Sequence, residues 1–380
     1  MFLGGETYRK LRLNAPAGRW FPALEDLSWD IWIFNLPYLD LFISPNLKRI
    51  SLSMSWGDSE VPQSSLSDIA SIISALPAPT LQRLSLHMGS HWIPPGYFKE
   101  SISSVILRCG PSLTEFSSPT PLSDTAISHL IHLSYLRTWR TKHPPPNYSA
   151  SSLPLVFPPL REFALGEGAA PGWLSLFKRL GDCVSSTQGT TPLSGMRESL
   201  ESLEIGDFPD PIIDVSFVSI IQTFRNLAHL NVMVDCYGED HNGQCVFKLN
   251  NDNVAKLAMA LPQLDYLLLG YPCHKNTCAT TVACLLPISV HCVRLQSLEI
   301  HFNTTNIVDD LKNISEDPRF QELHSLRKCA LSCLDVYQTP LTFDKSDFET
   351  LARGMRAIFP NLERCDGWNE FNRELAGFRG

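Results

Sequence analysis

Apolar residues recur along this chain in one short phrase. A leucine is followed by two spacers, an apolar residue, one spacer and, in most copies, a further apolar residue. PNLKRISL (Pro45 to Leu52) and PTLQRLSL (Pro79 to Leu86) are the clearest copies, with first leucines 34 residues apart. Twelve segments follow the template, some in degraded form. They begin at Leu24, Leu47, Leu81, Leu113, Leu136, Leu160, Leu200, Leu227, Leu264, Leu295, Leu326 (LRKCAL) and Leu362. Their spacing is irregular, from 23 to 40 residues, with a mean of about 31. Seven of the twelve carry proline two positions before the first leucine, where random placement of 28 prolines in 380 residues gives about one.

Apolar residues two apart, such as Leu84 and Leu86, put both side chains on one face of a strand. Spacers such as Arg83 and Ser85 then point the other way. Proline ahead of the phrase cannot continue a helix and pushes its predecessor into extended geometry. Between phrases the period changes to that of a helix. SLSDIASIISALP has Leu66, Ile69, Ile72, Ile73 and Leu76 at helical offsets, with Ser67 and Asp68 near its start. NNDNVAKLAMALPQL repeats the design through Val254, Leu257, Ala258 and Leu261, and KSDFETLARGMRAIFPNL through Phe348, Leu351, Met355 and Ile358. A strand followed by a helix, stacked about a dozen times, predicts an α/β solenoid in which neighbouring units bury one another's apolar faces. The polar stretch GDCVSSTQGTTPLSGMRE and the proline-rich HPPPNYSASSLPLVFPP read as loops between units.

Composition narrows the class. The chain is 44% hydrophobic and 18% charged, with formal net charge −8 and pI near 5.8, so no basic field favours nucleic acid or anionic lipid. No apolar run of 18 residues is present and the N-terminus lacks a signal-peptide core, which predicts a protein outside the membrane, in cytoplasm or nucleus. Eleven cysteines, an odd number at low density, read as thiols in a reducing compartment.

The phrases PNLKRISL, PTLQRLSL and PSLTEF, together with NNDNVAKLAMALPQLDYLLLG, resemble the irregular leucine-rich-repeat region of fungal F-box proteins, especially the divergent set in mushroom-forming fungi. The resemblance runs from about Leu24 to Leu362. It implies a leucine-rich-repeat horseshoe with a parallel sheet on the concave face and irregular helices on the convex face. The expected organisation is a single domain over 1–380 of about twelve repeats, with 1–20 a partial N-terminal repeat or truncated segment. The implied role is substrate recognition for an SCF ubiquitin ligase, with a protein substrate on the concave face. A Skp-type adaptor and cullin enter only if an F-box lies upstream. The nearest look-alike here, LPYLDLFISPNL (Leu36 to Leu47), runs straight into a repeat, so the reading is of a fragment or of a lost F-box. A free-standing leucine-rich-repeat scaffold is the alternative.

Chemistry-bearing motifs are few. CHKNTCATTVACLLPISVHC holds Cys273, His274, Cys278, Cys284, His291 and Cys292, but no C-x₂-C pair; Cys284 and Cys292 fall at core positions, leaving Cys273, His274 and Cys278 as loop-borne. Cys236, His241 and Cys245 share a second loop. There is no G-x-S-x-G elbow, and GEGAAPG lacks the Lys-Ser/Thr of a P-loop, so neither an enzyme nor a cofactor is expected. Counting two, four and six from each first leucine gives the side chains opposite the core. The candidate binding set is Arg49, Arg83, Ser85, His87, Arg140, His229, Tyr266, Glu299, His301, Lys328, Arg364 and Trp368, with Glu115, Lys142, Glu162 and Glu204 beside them. Their mixed signs predict no preference for an acidic or a basic partner.

Overall fold

In the computed structural model, the described residues are 5–14, 21–32, 35–54, 63–88, 96–141, 158–166, 194–208, 215–234, 248–270, 278–316, 329–336, 347–366, 368, 372 and 375–376. The chain divides into two compact units, Met1–Gly166 and Glu167–Gly380.

Among its described residues the first unit has α1 (Gly5–Asn14) and the strands β1 (Asp26–Ile31), β2 (Arg49–Met54), β3 (Arg83–Met88), β4 (Glu115–Ser118), β5 (Thr138–Thr141) and β6 (Glu162–Leu165). Each strand pairs in parallel with the next. The connections contain a 3₁₀ turn (Leu36–Phe42), α2 (Gln63–Ser74), α3 (Lys99–Arg108) and α4 (Asp124–Ile131), with α2 packed on α3 and α3 on α4. The sheet alternation is that of the phrase. Ile50, Leu84 and Phe116 lie in register and fully buried, while Arg49 and Arg83, one position before Ile50 and Leu84, are exposed. Burying each such apolar side chain stabilises by roughly 1.5–3 kcal/mol.

Two devices recur at the start of the strands. One backbone carbonyl accepts amides from two successive residues of the next repeat. The Glu25 carbonyl accepts Lys48 N–H (2.7 Å) and Arg49 N–H (3.0 Å), the Lys48 carbonyl accepts Gln82 and Arg83, and the Gln82 carbonyl accepts Thr114 and Glu115. The second device is a short polar side chain just before the first leucine, which hooks the preceding repeat. Thr80 Oγ1 donates to the Leu47 carbonyl (2.8 Å), Ser112 Oγ to the Leu81 carbonyl (2.9 Å) and Asn46 Nδ2 to the Pro22 carbonyl (2.9 Å). These bonds satisfy carbonyls at the turns into the strands, and the Pro22 carbonyl also accepts Ser44 Oγ at 2.7 Å.

Among its described residues the second unit has α5 (Ser194–Ser199), β7 (Ser202–Phe208), α6 (Val215–Ile221), β8 (His229–Val234), α7 (Asn251–Ala260), β9 (Tyr266–Leu269), α8 (Leu285–His291), β10 (Ser297–Ile300), α9 (Ile307–Glu316), β11 (Cys333–Asp335), α10 (Phe348–Ile358) and β12 (Arg364–Asp366). Its strands are again parallel and sequential. Both devices return: the Ala228 carbonyl accepts Asp265 and Tyr266, Asn226 Nδ2 reaches the Glu198 carbonyl, and Asn361 Nδ2 reaches the Cys329 carbonyl. Helix α7 opens on a capping box between Asn250 and Asn253, as its NNDN start suits. Gly270, at φ 92°, turns the chain out of β9 in a region that suits glycine.

One repeat is misread from the sequence. LRKCAL predicts a strand beginning near Lys328, whereas β11 begins at Cys333, two residues after the buried Leu331. The true phrase is LSCLDV, so the outward positions of this repeat are Cys333 and Asp335. Lys328 itself lies outside the described residues. The two frames are hard to tell apart because each begins with leucine and has an apolar residue three positions on. Cys329 and Leu331 are buried as well as Leu334 and Val336, so pairing decides the frame: Cys333 stands in register with Ser297 and Arg364.

Candidate functional site

The side chains facing away from the helices form rows, because register aligns equivalent positions on successive strands. In the first unit one row reads Asp26, Arg49, Arg83, Glu115, Thr138 and Glu162, and the next reads Ser28, Ser51, Ser85, Ser117, Arg140 and Ala164. Opposite charges meet across neighbouring strands. Arg49 chelates Asp26, Arg83 Nε lies 2.5 Å from Glu115 Oε2, and Arg140 Nη2 lies 2.9 Å from Glu162 Oε2. The Arg49 hydrogen bonds hold the Asp26 carboxyl below the usual carboxylate range. Ser85 Oγ and His87 Nε2 are 2.9 Å apart. Together Arg83, Ser85, His87, Ser117 and Arg140 line an open hollow of about 460 Å³. The structure thus brings together four of the sequence candidates and places Arg49 beside them.

In the second unit the first outward row reads Ser202, His229, Tyr266, Ser297, Cys333 and Arg364. The second reads Glu204, Asn231, Leu268, Glu299, Asp335 and Asp366. The His229 and Tyr266 rings stack with centroids 4.2 Å apart and planes 8° apart. Tyr266 then donates its hydroxyl to Glu299 Oε1 at 2.5 Å. Burial raises the phenol pKa above its ordinary value, and the hydrogen bond to Glu299 and the charges of Glu299, Glu204 and Asp335 raise it further. Arg364 Nε lies 2.9 Å from Asp366 Oδ2, and its Nη2 reaches Cys333 Sγ at 3.3 Å. Burial raises the Cys333 thiol, and the guanidinium opposes that rise.

Two candidates leave the face. His301 and Trp368 are each 1% exposed. Both were placed six residues after a first leucine, but β10 ends at Ile300 and β12 at Asp366, so alternation stops before reaching them. Trp368 instead meets Phe302 edge to face at 6.3 Å inside the core. His87 stays exposed at the same offset because β3 runs on to Met88. Lys142 lies outside the described residues. Cys333, Asp335 and Asp366 are outward residues that the sequence reading passed over. Asp366 sits four after Leu362, a position that the same count reaches, whereas Cys333 and Asp335 were hidden by the slipped frame.

The cysteine-rich stretch separates in the same way. Cys284 and Cys292 are buried core thiols, and Cys278, expected on a loop, is buried too, with Sγ 3.6 Å from the Thr280 carbonyl. Among the described residues no group of three or more His, Cys, Asp or Glu is arranged to hold a metal ion. Cys236, His241, Cys245, Cys273 and His274 lie outside the described residues. Among the described residues no helix is long and apolar enough to cross a membrane.

Parallel strands in sequential order, each phrase donating inward leucines and followed in most repeats by a helix, define an α/β leucine-rich-repeat solenoid, a protein-interaction fold. No protein-family model matches the chain, and no curated protein matches it in sequence. Among solved structures it is similar to an internalin from Listeria monocytogenes, at 14% identity over 95% of this chain and 94% of that one, with TM-score 0.34. It is also similar to a chain of the Rad7 and Elc1 complex from yeast, at 14% identity over 95% and 75% of the two chains, with TM-score 0.39. At such identities the likeness concerns the fold, and the assignment rests on the strand register described above.

Proposed function

We propose that this chain is a protein-binding leucine-rich-repeat domain that serves as the substrate-recognition part of an F-box-type SCF ubiquitin ligase receptor. The observation that carries the binding role is the set of polar and aromatic side chains held in register on the outward sheet faces. Rigid strands fix these groups, so a partner meets a preorganised surface. The ligase role rests on the family resemblance of PNLKRISL, PTLQRLSL and the NNDNVAKLAMALPQLDYLLLG stretch. In that role the chain positions a substrate lysine by raising its effective concentration near a charged conjugating enzyme, and needs no chemistry of its own.

The decisive experiment is capture of the native, full-length gene product with a purified Skp-type adaptor. Stoichiometric retention supports the ligase role. No retention of a correctly folded product removes it and leaves a free-standing binding scaffold.

A further inference from the structure

The hollow in the first unit is balanced in charge and unbalanced in hydrogen bonding. Two guanidiniums, Arg83 and Arg140, and two carboxylates, Glu115 and Glu162, line its volume of about 460 Å³. Glu115 is engaged on both oxygens. Arg83 Nε lies 2.5 Å from its Oε2, and Arg83 Nη2 donates to its Oε1 at 2.6 Å. Arg140 is engaged at one point, through Nη2 to Glu162 Oε2 at 2.9 Å. Among the described residues its Nε and Nη1 have no hydrogen-bond partner. A guanidinium carries five N–H donors, so most of those on Arg140 are left over. Two hydroxyls add to the surplus. Ser51 and Ser117 line the same hollow, and among the described residues neither side chain is hydrogen-bonded. Ser117 and Arg140 are register partners on β4 and β5, so their side chains leave the sheet about 4.8 Å apart. A hydroxyl donor and a half-engaged guanidinium therefore stand side by side in a concave site.

We propose that this hollow docks an acidic segment of a protein partner, one carboxylate of which binds between the Arg140 guanidinium and the Ser117 hydroxyl. The proposal rests on the protein-binding role above and names its partner's chemistry. A carboxylate supplies acceptors where donors are in excess, and hydrogen bonds between ionised groups are the strong ones. The Arg140–Glu162 pair gives way easily, since its side chains are 54% and 42% exposed and a pair so placed contributes little. The chain as a whole carries formal charge −8, so attraction to its bulk charge selects a basic peptide. Selection of an acidic one has to come from groups within about 8 Å, the screening length at physiological salt.

The test uses the full chain and fluorescence anisotropy with three labelled pools of twelve-residue peptides, randomised over acidic, uncharged polar or basic residues. The acidic pool should bind. Arg140→Gln should weaken it about tenfold and Ser117→Ala about threefold. Glu162→Gln releases Arg140 from its present partner and should bind at least as tightly as the wild type. Arg353→Gln removes the same charge from an exposed site on α10 and should change binding less than about twofold. The Arg140→Gln protein should melt with the wild type, because the pair it loses is exposed. Equal weakening by Arg140→Gln and Arg353→Gln shows a non-specific charge effect and overturns the proposal. Weakening by Glu162→Gln overturns it too, since that carboxylate would then belong to the site. Binding of the basic or uncharged pool alone overturns the acidic partner and leaves the protein-binding role standing. Binding of no pool overturns the hollow as a docking site, while the adaptor capture above reads the ligase role independently.

Discussion

Replacing Gly354 by alanine sets two calculable effects against each other. Gly354 lies buried in the middle of α10, where glycine costs roughly 0.5–1 kcal/mol relative to alanine through backbone entropy. Propensity alone therefore predicts a more stable protein. Helix α10 packs on α9, however, and a Cβ at position 354 would lie 3.0 Å from Leu311 Cβ and 3.4 Å from both of its methyl carbons. Carbon atoms settle at about 3.5–4.0 Å, so the helices would have to part by roughly half an ångström. Leu311 is 1% exposed and its Cβ is fixed to its backbone, so no rotamer change clears the contact. Overpacking of this kind costs about 1–3 kcal/mol. The net expectation is a loss of about 1 kcal/mol, read in urea unfolding as a lower midpoint at unchanged slope. Adding Leu311→Ala should not restore stability, because it removes the methyl carbons and keeps the Cβ. A Gly354→Ala protein with a raised midpoint would refute the reasoning, since propensity would then outweigh the helix–helix contact.

Further outcomes follow from the repeat stitching and the buried thiols. Thr80→Val and Ser112→Ala should each cost about 1 kcal/mol by removing a hydroxyl that satisfies a carbonyl of the preceding repeat, measurable by the same unfolding. Asn250→Ala, which dismantles the capping box of α7, should cost a similar amount, about 1 kcal/mol. Burial pushes the thiols of Cys109 and Cys292 up to about 12 from 9.0. Because the folded values lie above the unfolded one, their contribution is complete below pH 9 and is lost as pH rises to 12. Each thiol adds at most about 1.4 kcal/mol per pH unit to the fall in that window. The Cys109→Ala/Cys292→Ala protein should show a shallower fall, and an unchanged slope would show that these thiols do not carry the effect.

The legible part of this molecule is its periodic part. The leucine phrase places eleven of the twelve described strands at the correct frame, and the helical offsets of Leu66, Val254 and Leu351 fall in α2, α7 and α10. The phrase fails at LRKCAL because two overlapping frames satisfy the same apolar spacing, and only the register of Cys333–Asp335 with β10 and β12 distinguishes them. The six-residue offset fails at His301 and Trp368 for a related reason. A strand's length is decided by how far its neighbour keeps pairing, which no residue of the strand itself encodes.

By itself, then, the sequence determined the element order, the inward leucines and the polar character of the outward positions, because alternation and helical period are local properties of the backbone. Tertiary structure alone decided which outward residues are neighbours. Arg83 meets Glu115 across 32 residues and Tyr266 meets Glu299 across 33, while Glu299, Asp335 and Asp366 form one row. Repeats of unequal length put these residues at irregular separations along the chain. It is the shared hydrogen-bond register of parallel strands that brings them side by side.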